Sequence, residues 1–204
     1  MNMRISSLLA FLIAVLIVTL TASAPTRVAA QAAQAVAVVE FYSPNTLQTL
    51  PGLTPQLYAA DQLSEMLAHA SGGHFMVIPR PAVLHAETQL GWEGFDALRF
   101  ERLQALGHAV NADHLIVGWI PLLVVTQGSG TTMPPDGGGP PMATTNLVLQ
   151  VFSVPEGRIL SETHQSGFAI GALPTLLAEW ALQRALQPAV PPILATLTST
   201  SPAP

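Results

Sequence analysis

Apolar and polar positions follow two rhythms along this chain, and the change between them is sharpest from Phe95 to Thr126. FDALRFERLQALGHAV repeats its large apolar residues at helical spacing, and HLIVGWIPLLVV is apolar almost throughout. At 3.6 residues per turn, Leu98, Leu103, Leu106, Ala109 and Val110 fall on one stripe, with Glu101, Gln104 and His108 opposite. Asp96 is the expected N-cap, with Phe95 and Phe100 at hydrophobic-staple spacing around it. Asn111 suits the left-handed position that ends a helix. The run after it predicts a strand covered on both faces, with a bulge, bend or edge at Pro121, which cannot donate to a ladder.

The same patterns place the remaining elements. AVAVVEFYS (35–43) is a first strand rich in β-branched and aromatic residues, with Glu40 expected to face solvent near its end. Turn signals follow at Pro44-Asn45 and Pro51-Gly52. Thr54 and Pro55 open a helix whose buried stripe is Leu57, Ala60, Leu63, Leu67 and Ala70. HFMVIPRPAV (74–83) reads as a second strand limited by Pro79 and Pro81, and LHAETQLGWEG as a connector. ATTNLVLQVFSV and RILSETHQSGFAI are strands joined in a hairpin by Pro155-Glu156-Gly157. Pro174 opens a last helix with Leu173, Leu177 and Trp180 on one face. Pro188 interrupts it, and Pro191-Pro192 start a further turn.

Helices between the early strands favour parallel pairing by right-handed crossovers, and the hairpin adds an antiparallel portion. The expected fold is a single α/β domain, residues 33–198, with a mixed sheet in the order β-α-β-α-β-β-β-α and helices packed on it. The segment 127–142, QGSGTTMPPDGGGPPM, is too rich in Gly and Pro to offset its ordering entropy and is expected to be flexible. The tail 199–204 is expected to be disordered.

Composition narrows the function. Charged residues make up 9% of the chain, against roughly 25% in typical domains. The basic residues are all Arg, and the net charge of −5 leaves no basic footprint for nucleic acid. With no Cys, disulfides, thiolate metal sites and an acylated lipobox are excluded. MNMRISS followed by LLAFLIAVLIVTL has the layout of a secretory signal peptide, with cleavage favoured after Ala32. The alternative is an uncleaved anchor over Ile5–Ala24, the only route to membrane contact. Either way the folded part is exported, to the periplasm or the outer face of a membrane.

No catalytic constellation is evident. His69 and His74 flank one helix end and His108 and His114 the next, without HExxH spacing or an acidic cluster, so no metal is expected. GxSxG and GxxxxGK[ST] are both missing, and no cofactor is implied. Glu156 and Glu162 sit around a turn, where charge is usually solvated. Asp113 lies at the amino end of its strand, opposite to the end ligands favour in open α/β sheets.

Three segments carry a resemblance. AVAVVEF (35–41), GHAVNADHLIVG (107–118) and VFSVPEGRILSE (151–162) resemble the opening strand, the helix–Ala-Asp–strand and the strand–turn–strand of the TolB amino-terminal and curli secretion-channel (CsgG-like) superfamily. It covers roughly residues 35–186. The resemblance implies a non-enzymatic envelope protein that works by binding other proteins or by self-association, as an assembly or accessory module. The chain departs from that group in having no Cys to acylate and no long alternating membrane hairpins. Candidate contacts are Pro44, Asn45 and Leu50 in one loop, Met133 and Pro134 in another, and Trp92. The alternative is a periplasmic small-molecule-binding protein with a pocket at the carboxyl end of the sheet.

Overall fold

The computed structural model describes residues 33–44, 52–126 and 140–200. The expected leader, most of the loop after Pro44, residues 127–139 of the Gly/Pro segment and residues 201–204 lie outside them. So do Asn45, Leu50, Met133 and Pro134.

A mixed five-stranded sheet forms the centre, in the order β2-β1-β3-β4-β5. Its strands are β1 (Gln34–Val38), β2 (Phe75–Val77), β3 (His114–Thr126), β4 (Met142–Ser153) and β5 (Arg158–Ile170). β1 pairs in parallel with β2 and β3, while β3–β4 and β4–β5 are antiparallel. The helices are α1 (Pro55–Ala70), α2 (Arg80–Gln89), α3 (Phe100–Val110), α4 (Pro174–Leu186) and α5 (Val190–Ser199), with short 3-10 turns at Gly94–Leu98 and Gln187–Ala189. This is the mixed, helix-covered α/β fold that the sequence pattern predicts.

One layer, α1, α4 and α5, packs on Val36, Val38, Ile116, Leu149 and Val151 through Leu63, Leu67, Leu182 and Ile193. The opposite layer, α2 and α3, packs on Ala35, Ala37, Leu115, Val117 and Phe152 through Val83, Leu103 and Leu106. Alternate residues of β1 and of the first half of β3 therefore enter different cores, which is why those stretches read as apolar throughout. Beyond Ile120 the expected cover on both faces is not found among the described residues, where Leu122 and Val124 are exposed. Asn111 ends α3 in the left-handed region (φ 53°, ψ 44°). Asp113 accepts the Ala35 N–H (2.7 Å) and so ties the start of β3 to β1. The β3–β4 register shifts between Trp119 and Leu122, around Pro121. Among the described residues, no helix is long and apolar enough to cross a membrane.

Four expectations are corrected. The second strand stops at Val77, and the expected strand end and connector instead form α2, because Pro81 sits at a helix N-terminus, where its missing N–H costs nothing. Asp96 does not cap α3. It closes a capping box with Glu93 in the 3-10 turn and pairs with Arg102 (2.8 Å). That hydrogen bond holds its carboxyl below the usual carboxylate range despite burial. The turn moves the helix start to Phe100, so Phe95, Leu98 and Phe100 are exposed instead of stapled, with the Arg99 guanidinium over the Phe95 ring. In α4, Leu177 is buried while Leu173 and Trp180 face outward. Glu40, finally, is half-buried: its N–H donates to Glu87 Oε1 (3.0 Å), and burial raises the pKa of both carboxyls.

Candidate protein-docking face

β3 runs on to Thr126 beyond its last pair with β1 at Ile116. Tyr42 still bonds to Gly118 and Ile120, and past Ile120 the strands that accompany β3 among the described residues are β4 and β5. This distal part of the sheet has two unlike faces. On one, Val125, Ala143 and Ala169 pack beneath Leu177, Ala178 and Ala181 of α4. Small residues let the helix close on the strands: a β-carbon at Gly167 would overlap the carbonyl oxygen of Ala181. Thr145, fully buried, donates to the Leu122 carbonyl (3.0 Å) and steadies the chain beside the bulge.

The other face is uncovered among the described residues. Register aligns Leu122 with Asn146 and Ser166, Val124 with Thr144 and Phe168, and Thr126 with Met142 and Ile170. Exposure is 38% at Leu122 and Val124, 44% at Phe168 and 50% at Ile170. Leu173, just before α4, and Leu176 and Trp180 on it are exposed as well. Closer to the covered half the same face turns polar. Glu162 accepts from Gln150 and His164, and those hydrogen bonds hold its pKa below the ordinary value. Ser166 donates to Asn146 (3.0 Å). Covering the part of these four side chains that is still exposed is worth about 1 kcal/mol each, half or less of the value for full burial.

The sequence-selected contact residues fall elsewhere or outside the described residues. Pro44 is exposed just after Tyr42, which bridges to Trp119 of β3, so it borders the distal half of the sheet. Trp92 is half-buried against the α2–α3 core, with the Arg102 guanidinium 5.9 Å from its ring centre. Its indole N–H has no hydrogen-bond partner among the described residues. Leu122, Val124, Phe168 and Ile170 were not singled out from the sequence, although a signal was present. In SGFAI, small Gly167 and Ala169 alternate with large Phe168 and Ile170, as expected where a helix presses on one face only.

Two hollows lie elsewhere on the described residues. One, of about 390 Å³, lies past the carboxyl end of β2 and is lined by Asp61, Ser64, Glu65, Arg80, Pro81 and Leu84. Arg80 is buried, and its guanidinium donates to the Val38 carbonyl (2.6 Å) and Asp61 Oδ1 (3.0 Å). Glu87 lies 3.9 Å away, so this cation is already neutralised by the fold. A shallower groove of about 570 Å³ runs between α1 and α4 past Gln62, Met66, His69 and Gln183. No group of three or more acidic or His side chains among the described residues is placed to hold a metal.

No family model matches the chain, and no curated protein does. Solved structures align with the chain, one of them at a TM-score above 0.5. The hypothetical protein CT253 of Chlamydia trachomatis is 12% identical, with a TM-score of 0.51, over 83% of this chain and 100% of that one. Lipoprotein GNA1162 from Neisseria meningitidis aligns at 13% identity and TM-score 0.49, over 82% and 99% of the two chains. The LpoB C-terminal domain of Salmonella enterica aligns at 17% and 0.41, over 67% and 83%.

Proposed function

We propose that this chain is a non-catalytic, exported envelope protein of the TolB amino-terminal and CsgG-like group. In this reading it acts as an assembly or accessory module and docks another envelope protein on the open distal face of β3–β4–β5. One observation carries the docking: Leu122, Val124, Phe168 and Ile170 stand exposed in register on a sheet whose reverse side is held by α4. Contiguous apolar surface on an ordered element marks interaction sites. The leader-like amino terminus supports the compartment, and the three resembling segments support the group.

Site-specific photocrosslinking in cells tests the face. Probes at Val124 and Phe168 are expected to capture one envelope protein that a probe at exposed Glu101 of α3 does not, and Phe168→Asp should abolish the capture. Equal labelling from all three positions would sink the docking role.

The small-molecule reading draws on the hollow past β2, which has the volume of a ligand pocket and sits at the carboxyl end of the parallel strands. A thermal-shift screen that raises the melting temperature, with the rise lost in Ser64→Trp, would favour it over docking.

A further inference from the structure

The outer edge of β5 differs from the opposite edge of the sheet. β2 is three residues long and runs into Pro79 and Pro81, a blunted edge that resists further pairing. β5 is thirteen residues long with no proline and no lysine, and among the described residues it has a strand partner only in β4. Residues of an antiparallel ladder alternate between those that turn N–H and C=O to the partner and those that turn both away. Two contacts show which β5 residues do which. Gly171 donates to the Pro141 carbonyl (3.2 Å), so odd-numbered positions face β4. The Phe168 carbonyl instead accepts from Arg184 Nη1 of α4 (2.8 Å), so even-numbered positions face outward. Arg184 thus covers the distal end of the edge. No described side chain does the same for the main-chain groups of Glu162, His164 and Ser166, so their N–H and C=O groups form an open ladder.

The side chains on that ladder select what fits it. A two-fold axis through Thr163 would set Glu162 of one copy opposite His164 of the other, twice, with all four residues turning their backbone groups toward the new partner. An axis through Glu162 would oppose two carboxylates, and one through His164 two imidazoles. An axis between residues would pair an outward position with an inward one and break the ladder. We infer that β5 is a self-association edge: two copies pair antiparallel about Thr163, with Glu162 facing His164 of the second copy, and join their sheets into one. The inner pairs add about four backbone hydrogen bonds, and the carboxylate–imidazole contacts fix the register. At Thr163 the two chains form a narrow, non-hydrogen-bonded pair with Cα atoms roughly 4.5 Å apart, within disulfide reach. This edge is separate from the apolar face, so the inference stands or falls independently of the docking proposed above.

The chain has no Cys, so Thr163→Cys can form a disulfide only between copies. Under mild oxidation it is expected to yield a linked dimer as the main product, while Glu101→Cys on α3 stays monomeric. Sedimentation of the unmodified protein should give twice the monomer mass at micromolar concentration. Glu162→Arg should weaken dimerisation by about tenfold in Kd, as loss of one charge-matched contact per strand would. The swap Glu162→His with His164→Glu restores the opposed pairs and should recover the dimer. Ser166→Pro removes an outward N–H without touching the β4 ladder and should also weaken the dimer while circular dichroism is unchanged. A monomer up to about 100 μM, well above the Kd of a specific homodimer, would overturn the inference. So would Thr163→Cys linking no better than Glu101→Cys, or a swap that fails to restore what Glu162→Arg removes.

Discussion

Phe152 on β4 and Phe168 on β5 lie in the same sheet, on the same face, and have opposite fates. Phe152 is fully buried beneath α3, with the Phe100 ring 5.7 Å away, whereas Phe168 stands nearly half exposed. The difference is not one of strand chemistry. α2 and α3 precede β3 in the chain and cover only the stretch where β1 runs beside it. The β4–β5 hairpin then continues past that cover with, among the described residues, one helix, α4, for two faces. A half-covered sheet must leave one face wet or lend it to a partner, and here the uncovered face is apolar where it lies farthest from the helices.

Truncation is the direct way to break the comparison. Phe152→Ala removes a fully buried ring and should cost about 3–5 kcal/mol. If the same change at Phe168 proved equally costly in urea unfolding, the distal face would be core and not a docking surface. Gly167→Ala probes the covered side of the distal half. Its methyl would press on the α4 backbone at Ala181, and an overpacking cost of about 1–3 kcal/mol is expected in the same experiment.

Acidification separates the halves by another route. His114, at the start of β3, is buried with no hydrogen-bond partner for Nδ1 among the described residues, and desolvation lowers its pKa below the ordinary 6.5. A group with a depressed folded-state pKa contributes stability above its unfolded pKa and loses it as pH falls toward the folded one. The melting temperature should therefore fall on acidification below about pH 6.5, and His114→Val should flatten that fall. Glu87 and Glu40 act in the opposite direction. Their pKa values are raised by burial, so their contribution is present below 4.5 and fades as pH rises through the folded values. Glu87→Gln should therefore lessen the loss of stability as pH rises through that range. The smallest expected effect is Phe168→Ala, within about 0.5 kcal/mol of the parent in stability while abolishing capture by a docked partner.

The mixed sheet, the hairpin and the left-handed end of α3 were legible because each rests on local chemistry. Runs of β-branched and apolar residues mark strands, a Pro-Glu-Gly turn closes a hairpin, and Asn tolerates positive φ. The stretch 79–89 misled because Pro79 and Pro81 read as the end of a strand, while Pro81 also fits the first turn of a helix. Asp96 misled because it satisfies a 3-10 turn as readily as an α-helical N-cap.

The candidate site was the least legible part. VGWIPLLVVT is apolar along its length, and only the placement of the helices shows that its second half lacks cover on one side among the described residues. The loops chosen from turn chemistry fall largely outside the described residues, and Trp92 packs inward. By itself, then, the sequence determined the class of fold, the order of the sheet-forming segments and the residues able to build a core, because burial and turn formation act over a few neighbours. Only the tertiary structure decided which apolar residues stay in water. That depends on how far β3, β4 and β5 extend beyond the helices meant to cover them, a matter of lengths set by segments distant in the chain.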